Sequence, residues 1–553
     1  MTQTTPSRSS LAEVLAAIAA GGLPKRRQQD MASAVRTVAK AIGHSPAQIP
    51  ADPRRLGIRL KPLSHLALGL SEGRWNNVRS LFRAALALVT PIMPGRDETP
   101  LSEAWASLFE QIAAKRSLRI RLSRLVHWLS RHHIHPRIMS MDDLERFRAE
   151  LLNDALLSRP DATWVNIRMA WNAAVKGTLE WPQLPITVVS RKVIYVQHWV
   201  AFPPSLKADV DLWLDRLAGR DFAEDGPNKP ASPSTLATRE YQLRAFASAL
   251  AERKQNIADL TSLAACLTLD NFTEGLRFFR ERDGNKNTTR VHDMAGMLKG
   301  VARHWVKADE ATLVKMMAIV RKLKPEEIGM TKKNTDRVRQ LEDPVMAQKF
   351  VNLPRTIRQH IDTGKLTTRT KRMLAQAAVA IELLIVAPIR IGNLTSIDLD
   401  RHLIKVGKRL HLVIPACEVK NRQDLDFELP VESAALIAWY IADVRETLPG
   451  NRALFPGKSG TAKTIGTLRG QIIRTVQEYL GLAINPHLFR HIGAKLYLDK
   501  NPGNYEVVRQ VLGHKSMATT TKFYAGHQTR NATRHFDSEI IKLRDAQAAG
   551  VRT

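Results

Sequence analysis

The stretch Asn485-Pro486-His487-Leu488-Phe489-Arg490-His491 has the makings of a helix start. An asparagine can cap the free amides, and a proline suits the first helical position. His487 and Arg490 stand three residues apart and so share one face of the first turn. That end of a helix already favours anions, and an imidazole beside a guanidinium there makes a phosphate seat. Two further stretches carry polar groups of the same kind. Leu512-Gly513-His514-Lys515-Ser516 closes a helix, with Thr519-Thr520-Thr521-Lys522-Phe523-Tyr524 after it. Pro388-Ile389-Arg390-Ile391-Gly392-Asn393-Leu394 puts an arginine where a long apolar run stops.

These residues need elements to hold them together. Leu374–Val386 reads as an apolar helix ended by Pro388, since proline cannot continue the hydrogen-bond ladder. Three strand-like runs follow at His402–Val406, Arg409–Ile414 and Leu425–Leu429. Gly407-Lys408 makes a tight hairpin turn, and Glu418–Asp424 a longer polar loop. Helical periodicity resumes over Ser433–Thr447, Thr464–Leu480, Pro486–Leu498 and Tyr505–Leu512. The expectation is a mostly helical domain over 340–535 with one small antiparallel sheet, then a tail, 536–553, helical in pattern over Phe536–Ala549.

Upstream, the sequence repeats itself. Trp75-Asn76-Asn77-Val78-Arg79 and Trp164-Val165-Asn166-Ile167-Arg168 open two copies of Trp-x-Asn-(Val/Ile)-Arg-x-x-(Phe/Trp)-x-Ala-Ala, at an offset of 89 (residue 75 to residue 164). Apolar positions recur at three and four residues, so each copy reads as a helix with one buried stripe. Each follows an earlier amphipathic helix, Met31–Ile42 or Leu122–Ile134. A third unit has the layout without the signature, over Arg239–Ala251, Asn271–Arg282 and Thr288–Val306. The chain thus divides into helical modules at 1–95 and 101–182, a helical domain at 200–310 and a basic linker at 311–339. Pro91–Pro100, Pro182–Ser205 and Gly219–Ser234 supply the connections. The tryptophans read as core, whereas Arg79 and Arg168 suit either a phosphate or plain solvent. The fold class is mainly α and multidomain.

Composition narrows the partners. With 553 residues the chain is long enough for three or four domains. Its 44% hydrophobic and 25% charged residues exclude general disorder. The 83 Lys and Arg exceed the 53 Asp and Glu by enough to leave +30, which favours a polyanion. Cys266 and Cys417 are too few for a disulfide framework or a cysteine-rich zinc site. Leu11–Ala20 is short and carries Glu13, poor for a secretion signal, and no apolar run reaches the roughly 18 residues of a membrane span. The reading is a soluble, intracellular, basic, multidomain protein whose polyanionic partner is nucleic acid or an anionic membrane surface.

Taken in order, Arg390, the His487-x-x-Arg490-His491 box, Leu512-Gly513-His514 and Tyr524, ten residues past His514, resemble the tyrosine recombinases, or phage integrases, over roughly residues 340–530. The third helical unit resembles that family's core-binding domain. The resemblance implies site-specific DNA strand exchange for a mobile element or phage, by a cytoplasmic, nucleoid-associated protein with no membrane partner. Tyr524 attacks a phosphodiester to give a covalent 3′-phosphotyrosine and a free 5′-hydroxyl. A tyrosine pKa near 10 means the hydroxyl needs help to ionise. Arg390 and Arg490 clamp the non-bridging oxygens. His487 manages the nucleophile's proton and His514 hydrogen-bonds the phosphate. Lys420, in the loop after the second strand, matches the family's general acid, with Lys405, Lys408 and Arg422 as neighbouring cations. Neither a metal nor a cofactor is implied. The partners implied are double-stranded DNA, a homotetramer across two sites, and related recombinases or accessory DNA-bending proteins, with the tail docking on a neighbour or on its own domain.

Three features keep other readings open. Tyr497 and Tyr505 are rival tyrosines, although Tyr497, seven residues from Arg490 on one helix, suits packing. Asn393 stands where the family commonly has an acidic residue, three positions after the arginine, and an amide supplies no charge to orient Arg390. The two extra N-terminal modules suit further phosphate contacts or protein–protein adaptors. A type IB topoisomerase shares the nucleophile and clamp without exchanging strands. A catalytically inactive architectural DNA-binding protein is the alternative from another class.

Overall fold

The computed structural model describes residues 9–90, 92–93, 100–153, 156–157, 159–187, 195–219, 226–253, 256–326, 330–445, 451–457, 460–524 and 529–550, without the side chains of 519, 522–524, 529–532, 534–535 and 546–550. It is mainly helical with one small sheet, the fold class that the periodicity implies. Two compact units are present: one of Met1–Val188 with Met330–Thr553, the other of Val189–Gly329.

In the first unit the apolar residues gather into three large cores. Residues 11–86 form the first, and both copies of the repeated helix behave alike. Trp75, Val78, Phe82 and Ala85 are buried on Glu72–Leu86, and their counterparts Trp164, Ile167, Trp171 and Ala174 are buried on Pro160–Gly177. The second core, over 93–186, is built on Trp105, Trp171 and Trp181, whose rings meet at 5.3–6.5 Å between centroids. Arg168, left open between phosphate and solvent by sequence, is engaged locally. Its guanidinium donates to the Thr187 carbonyl at 3.0 Å and lies over the Trp164 ring. Arg79 is exposed.

The third core, over 338–492, underlies the candidate site. Its axis is the helix Thr368–Val386, capped by Thr367 and buried along most of its length. The sheet is β1 (Leu403–Val406), β2 (Arg409–Ile414) and β3 (Leu425–Glu428), antiparallel in that order. Leu403 pairs with Leu412 and Ile414 with Leu425. This is the sheet read from sequence, within one residue at each end. Gly407 turns the hairpin at φ 58°, a conformation that favours glycine.

The second unit packs Phe202, Trp213, Phe246, Phe272 and Phe279 into its own core. Its first helix, Pro204–Ala218, is one that periodicity did not single out. The stretch read as a linker, 311–339, is helical at Glu310–Lys322 and Lys332–Arg339. Met316 and Leu323 belong to the core of the second unit, and Val338 to that of the first. In Lys332–Arg339 a single buried residue leaves no repeating apolar signal to read. Among the described residues no helix is long and apolar enough to cross a membrane.

Candidate functional site

The site is assembled from a helix end, turns and one helix start. Asn485 caps Pro486–Lys500 as its side chain suggests, its Oδ1 accepting from the amides of His487 (3.0 Å) and Leu488 (3.3 Å). The cap fixes the first turn and with it the direction of His487 and Arg490. His487 keeps an open side to solvent, and its ring meets that of His491 edge-on at 5.1 Å. Arg490, one turn in, is only 5% exposed. Its two terminal nitrogens donate to the carbonyls of Pro388 and Leu512. One guanidinium therefore ties the end of the apolar helix to the turn before His514.

Arg390 is the N-cap residue of the short helix Ile391–Thr395, right after that apolar helix, and is half-buried. Its Nη2 donates to Asn421 Oδ1 at 3.1 Å, and Asn421 Nδ2 donates to the Gly513 carbonyl at 2.7 Å. Asn421 thus links the first arginine, the loop after β2 and the histidine turn. Asn393, buried, does not touch Arg390's guanidinium in any described hydrogen bond. Its Nδ2 donates to the Glu418 carbonyl at 3.0 Å, pinning the start of the same loop. Lys420 is exposed on that loop beside Asn421. Glu418 in turn faces Arg401 and the buried His402, whose Nε2 is 3.1 Å from the carboxylate.

His514 follows Gly513, which turns the chain at φ 58°. Its Nδ1 is 3.0 Å from the buried Thr520 hydroxyl, and Arg509 donates to its carbonyl at 2.9 Å. If the hydroxyl donates, the proton of the neutral ring sits on Nε2, free for an anion. Tyr524 ends the helix Met517–Tyr524, and its side chain lies outside the described residues. The rival tyrosines have structural surroundings: Tyr497 and Tyr505 pack on the small cluster Ala494, Leu498, Val508 and Leu512.

The electrostatics tie four of these residues together. Partial enclosure, then Arg490 and Arg390, lower the pKa of His487. The same causes in the same order, with Arg509 added, push His514 down to about 4. Burial also lowers the pKa of Arg390. Both imidazoles are held near two guanidiniums, so at neutral pH the cluster carries its charge on the arginines and keeps the rings neutral.

Among the comparisons with known proteins, one is placed on this region by residue number. Residues 355–531 match the phage integrase family, a span that runs from the helix before the apolar one to just past Tyr524. This segment, about a third of the chain, is what is similar to the phage integrase family. The chain is also similar to the tyrosine recombinase XerC of Azotobacter vinelandii, 28% identical over 143 residues, which is 25% of this chain and 44% of that protein. XerC of Pseudomonas aeruginosa is 29% identical over the same length and share. XerC of Mycobacterium tuberculosis is 31% identical over 143 residues, 46% of its length. The chain thus spans less than half the length of these curated relatives. Among solved structures, the lambda integrase(75–356) dimer bound to a COC' core site overlaps at a TM-score of 0.36 and 15% identity, covering 57% of this chain and 96% of that one. The XerH site-specific recombinase bound to difH substrate gives 0.34 and 13%, over 58% and 93%. At these scores the likeness supports nothing about geometry.

The enclosed histidine His514 makes stability depend on pH. His514 takes up a proton near pH 4 when folded and near 6.5 when unfolded. Between those values the unfolded chain binds more protons, so stability falls as the pH drops from about 6.5 towards 4. In urea titrations across that window, His514→Gln should lose less stability than the parent. Parallel loss in the two proteins would exclude His514 as a source.

Proposed function

We propose that this protein is a DNA strand-exchange enzyme of the tyrosine recombinase type, cutting duplex DNA through a covalent 3′-phosphotyrosine on behalf of a mobile element or phage. The observation that carries this reading is the convergence of Arg390, Arg490, His487 and His514 on one patch of the integrase domain, at the foot of the helix that ends in Tyr524. Two arginines that lower the pKa of both imidazoles suit a dianionic, five-coordinate phosphate better than any neutral substrate. In the proposed cycle the Tyr524 hydroxyl attacks phosphorus and its proton passes towards His487. Arg390 and Arg490 hold the non-bridging oxygens, His514 donates from Nε2, and Lys420 protonates the departing 5′-oxygen. The bond energy stays in the phosphotyrosine, so a second 5′-hydroxyl can reverse the step. The same reading places helical modules at 1–95 and 101–182, a core-binding domain at 200–310 and the catalytic domain at 340–535. It implies a tetramer across two DNA sites, as in the solved lambda integrase tetramer bound to a Holliday junction.

The test is a nicked duplex drawn from the DNA flanking the gene, which traps the enzyme on its substrate. With EDTA present, the parent should form a covalent protein–DNA adduct and Tyr524→Phe none. An adduct that persists in Tyr524→Phe moves the nucleophile to another residue. No adduct from any flanking duplex, despite tight and salt-sensitive binding, favours an architectural protein.

A further inference from the structure

The two N-terminal repeats agree in more than their tryptophan helices. Their first helices, Lys25–Ile42 and Arg116–Arg131, superpose in sequence at an offset of 91 (residue 31 to residue 122). At that offset Met31, Ala34, Val35, Val38 and Ala39 fall on Leu122, Leu125, Val126, Leu129 and Ser130, and all ten are buried. The outer faces agree too. Lys25 and Lys40 fall on Arg116 and Arg131, and Arg36 falls on His127. Residues 11 and 15 apart lie within about 60° of each other on a helix, so in each copy these groups form one stripe about 22 Å long.

That stripe is poorly explained by the fold. Lys25, Arg26 and Arg27 open their helix with no acidic residue in its first turn, and Lys115 and Arg116 do the same in the second copy. Cations there oppose the helix dipole. Most other helices of these modules behave conventionally, with Glu13, Glu72, Glu103, Asp142, Asp143 and Asp161 in their first turns, and Pro53–Leu60, which has none there, is capped by Asp52. Lys25, Arg36, Lys40, Arg116 and Arg131 are exposed, and none of them meets a carboxylate among the described residues. Up to residue 93 the chain has thirteen Lys and Arg against four Asp and Glu. The apolar sides of both helices are buried in their cores, which leaves nothing to enter a bilayer.

We propose that the two repeats form an additional grip on duplex DNA, each laying the outer stripe of its first helix along the phosphates. Lys25, Arg36 and Lys40 act in one copy, Arg116 and Arg131 in the other. The choice of duplex DNA rests on the recombinase reading; the anionic character of the partner rests on the stripes. Phosphate contacts of this kind add affinity without sequence preference and release counterions in proportion to their number.

The test uses the full chain and random-sequence duplexes of graded length. Lys25→Ala/Arg36→Ala/Lys40→Ala and Arg116→Ala/Arg131→Ala touch only exposed positions. Against log salt, the first variant's binding slope should shrink by about 2.7 and the second's by about 1.8, at roughly 0.9 per phosphate. A fourfold rise in salt would then weaken the first variant about forty-fold less than the parent. The shortest duplex giving full affinity should also be shorter for both, which separates a local grip from a general loss of charge. An unchanged slope or an unchanged minimal length in either variant overturns the proposal, as does a change in self-association alone. Adduct formation on nicked duplex at saturating protein should be unaffected. If the parent forms no adduct while slopes and lengths shift as stated, the recombinase reading fails and the grip stands.

Discussion

Arg490→Ala should both destabilise the domain that carries the site and silence it, whereas Arg390→Ala should silence it with little effect on stability. The two arginines have equal parts in the proposed chemistry and unequal parts in the fold. Arg490 is 5% exposed, and its terminal nitrogens serve the carbonyls of Pro388 and Leu512, 102 and 22 residues away in the chain. Removing it leaves two enclosed carbonyls without donors. Hydrogen bonds from a charged donor contribute about 1.5–3 kcal/mol each, so a loss of roughly 3 kcal/mol or more is expected. Arg390 is half-buried and makes a single described bond, to Asn421, so about 1.5 kcal/mol, the low end of that range, is expected. Each loses one donor to the developing charge on phosphorus, a penalty of about 10²–10³ in rate for a preorganised site. Arg490→Lys should not rescue, because one ammonium cannot reach two carbonyls with the fork of a guanidinium. Denaturation midpoints and adduct rates at saturating nicked DNA separate the two effects. Equal stability losses at the two positions would show that Arg490 is not the tie described.

Much of this site was legible in sequence because the signals were local. Asn485 and Pro486 announce a helix start through their own chemistry, and the cap is made as the side chain predicts. Three short strand-like runs, a glycine turn and a polar loop located the sheet. The repeated tryptophan helices show which side is buried before any partner is known. What stayed hidden is long in range. Asn421 meets Arg390 and Gly513 across 31 and 92 residues, and an asparagine in a polar loop looks the same whether it bridges two elements or faces water. Thr520 lies within a run of three threonines, and nothing in the run says which hydroxyl reaches His514. Glu310–Lys322 escaped for another reason. Leu313, Val314, Met316, Met317, Ile319 and Val320 are spread around the helix, which blurs the stripe that marks one.

Asn393 shows how a departure from family pattern can be misread from sequence alone. By resemblance an acidic residue belongs there, and Asn393→Asp would look like a repair. The geometry predicts damage. Position 393 is 7% exposed and serves as a donor, Nδ2 to the Glu418 carbonyl at 3.0 Å. A carboxylate in that place would set oxygen against oxygen in an enclosed site, losing the bond and adding an unpaired charge. The start of the loop would come free of the arginine helix, and Asn421 and Lys420 ride on that loop. The expected cost is about 1–3 kcal/mol of stability, with at least a tenfold slower adduct. Part of both should return as the pH falls and the carboxyl gains a proton to donate. Asn421→Ala should slow the adduct to a similar degree by releasing Arg390 and the Gly513 turn. If both changes act by loosening one loop, the double variant should be little worse than either alone, a coupling of roughly 0.5–3 kcal/mol in a double-mutant cycle. Strict additivity, or a faster adduct in Asn393→Asp, would mean that Arg390 takes its orientation from position 393 after all and not from the loop.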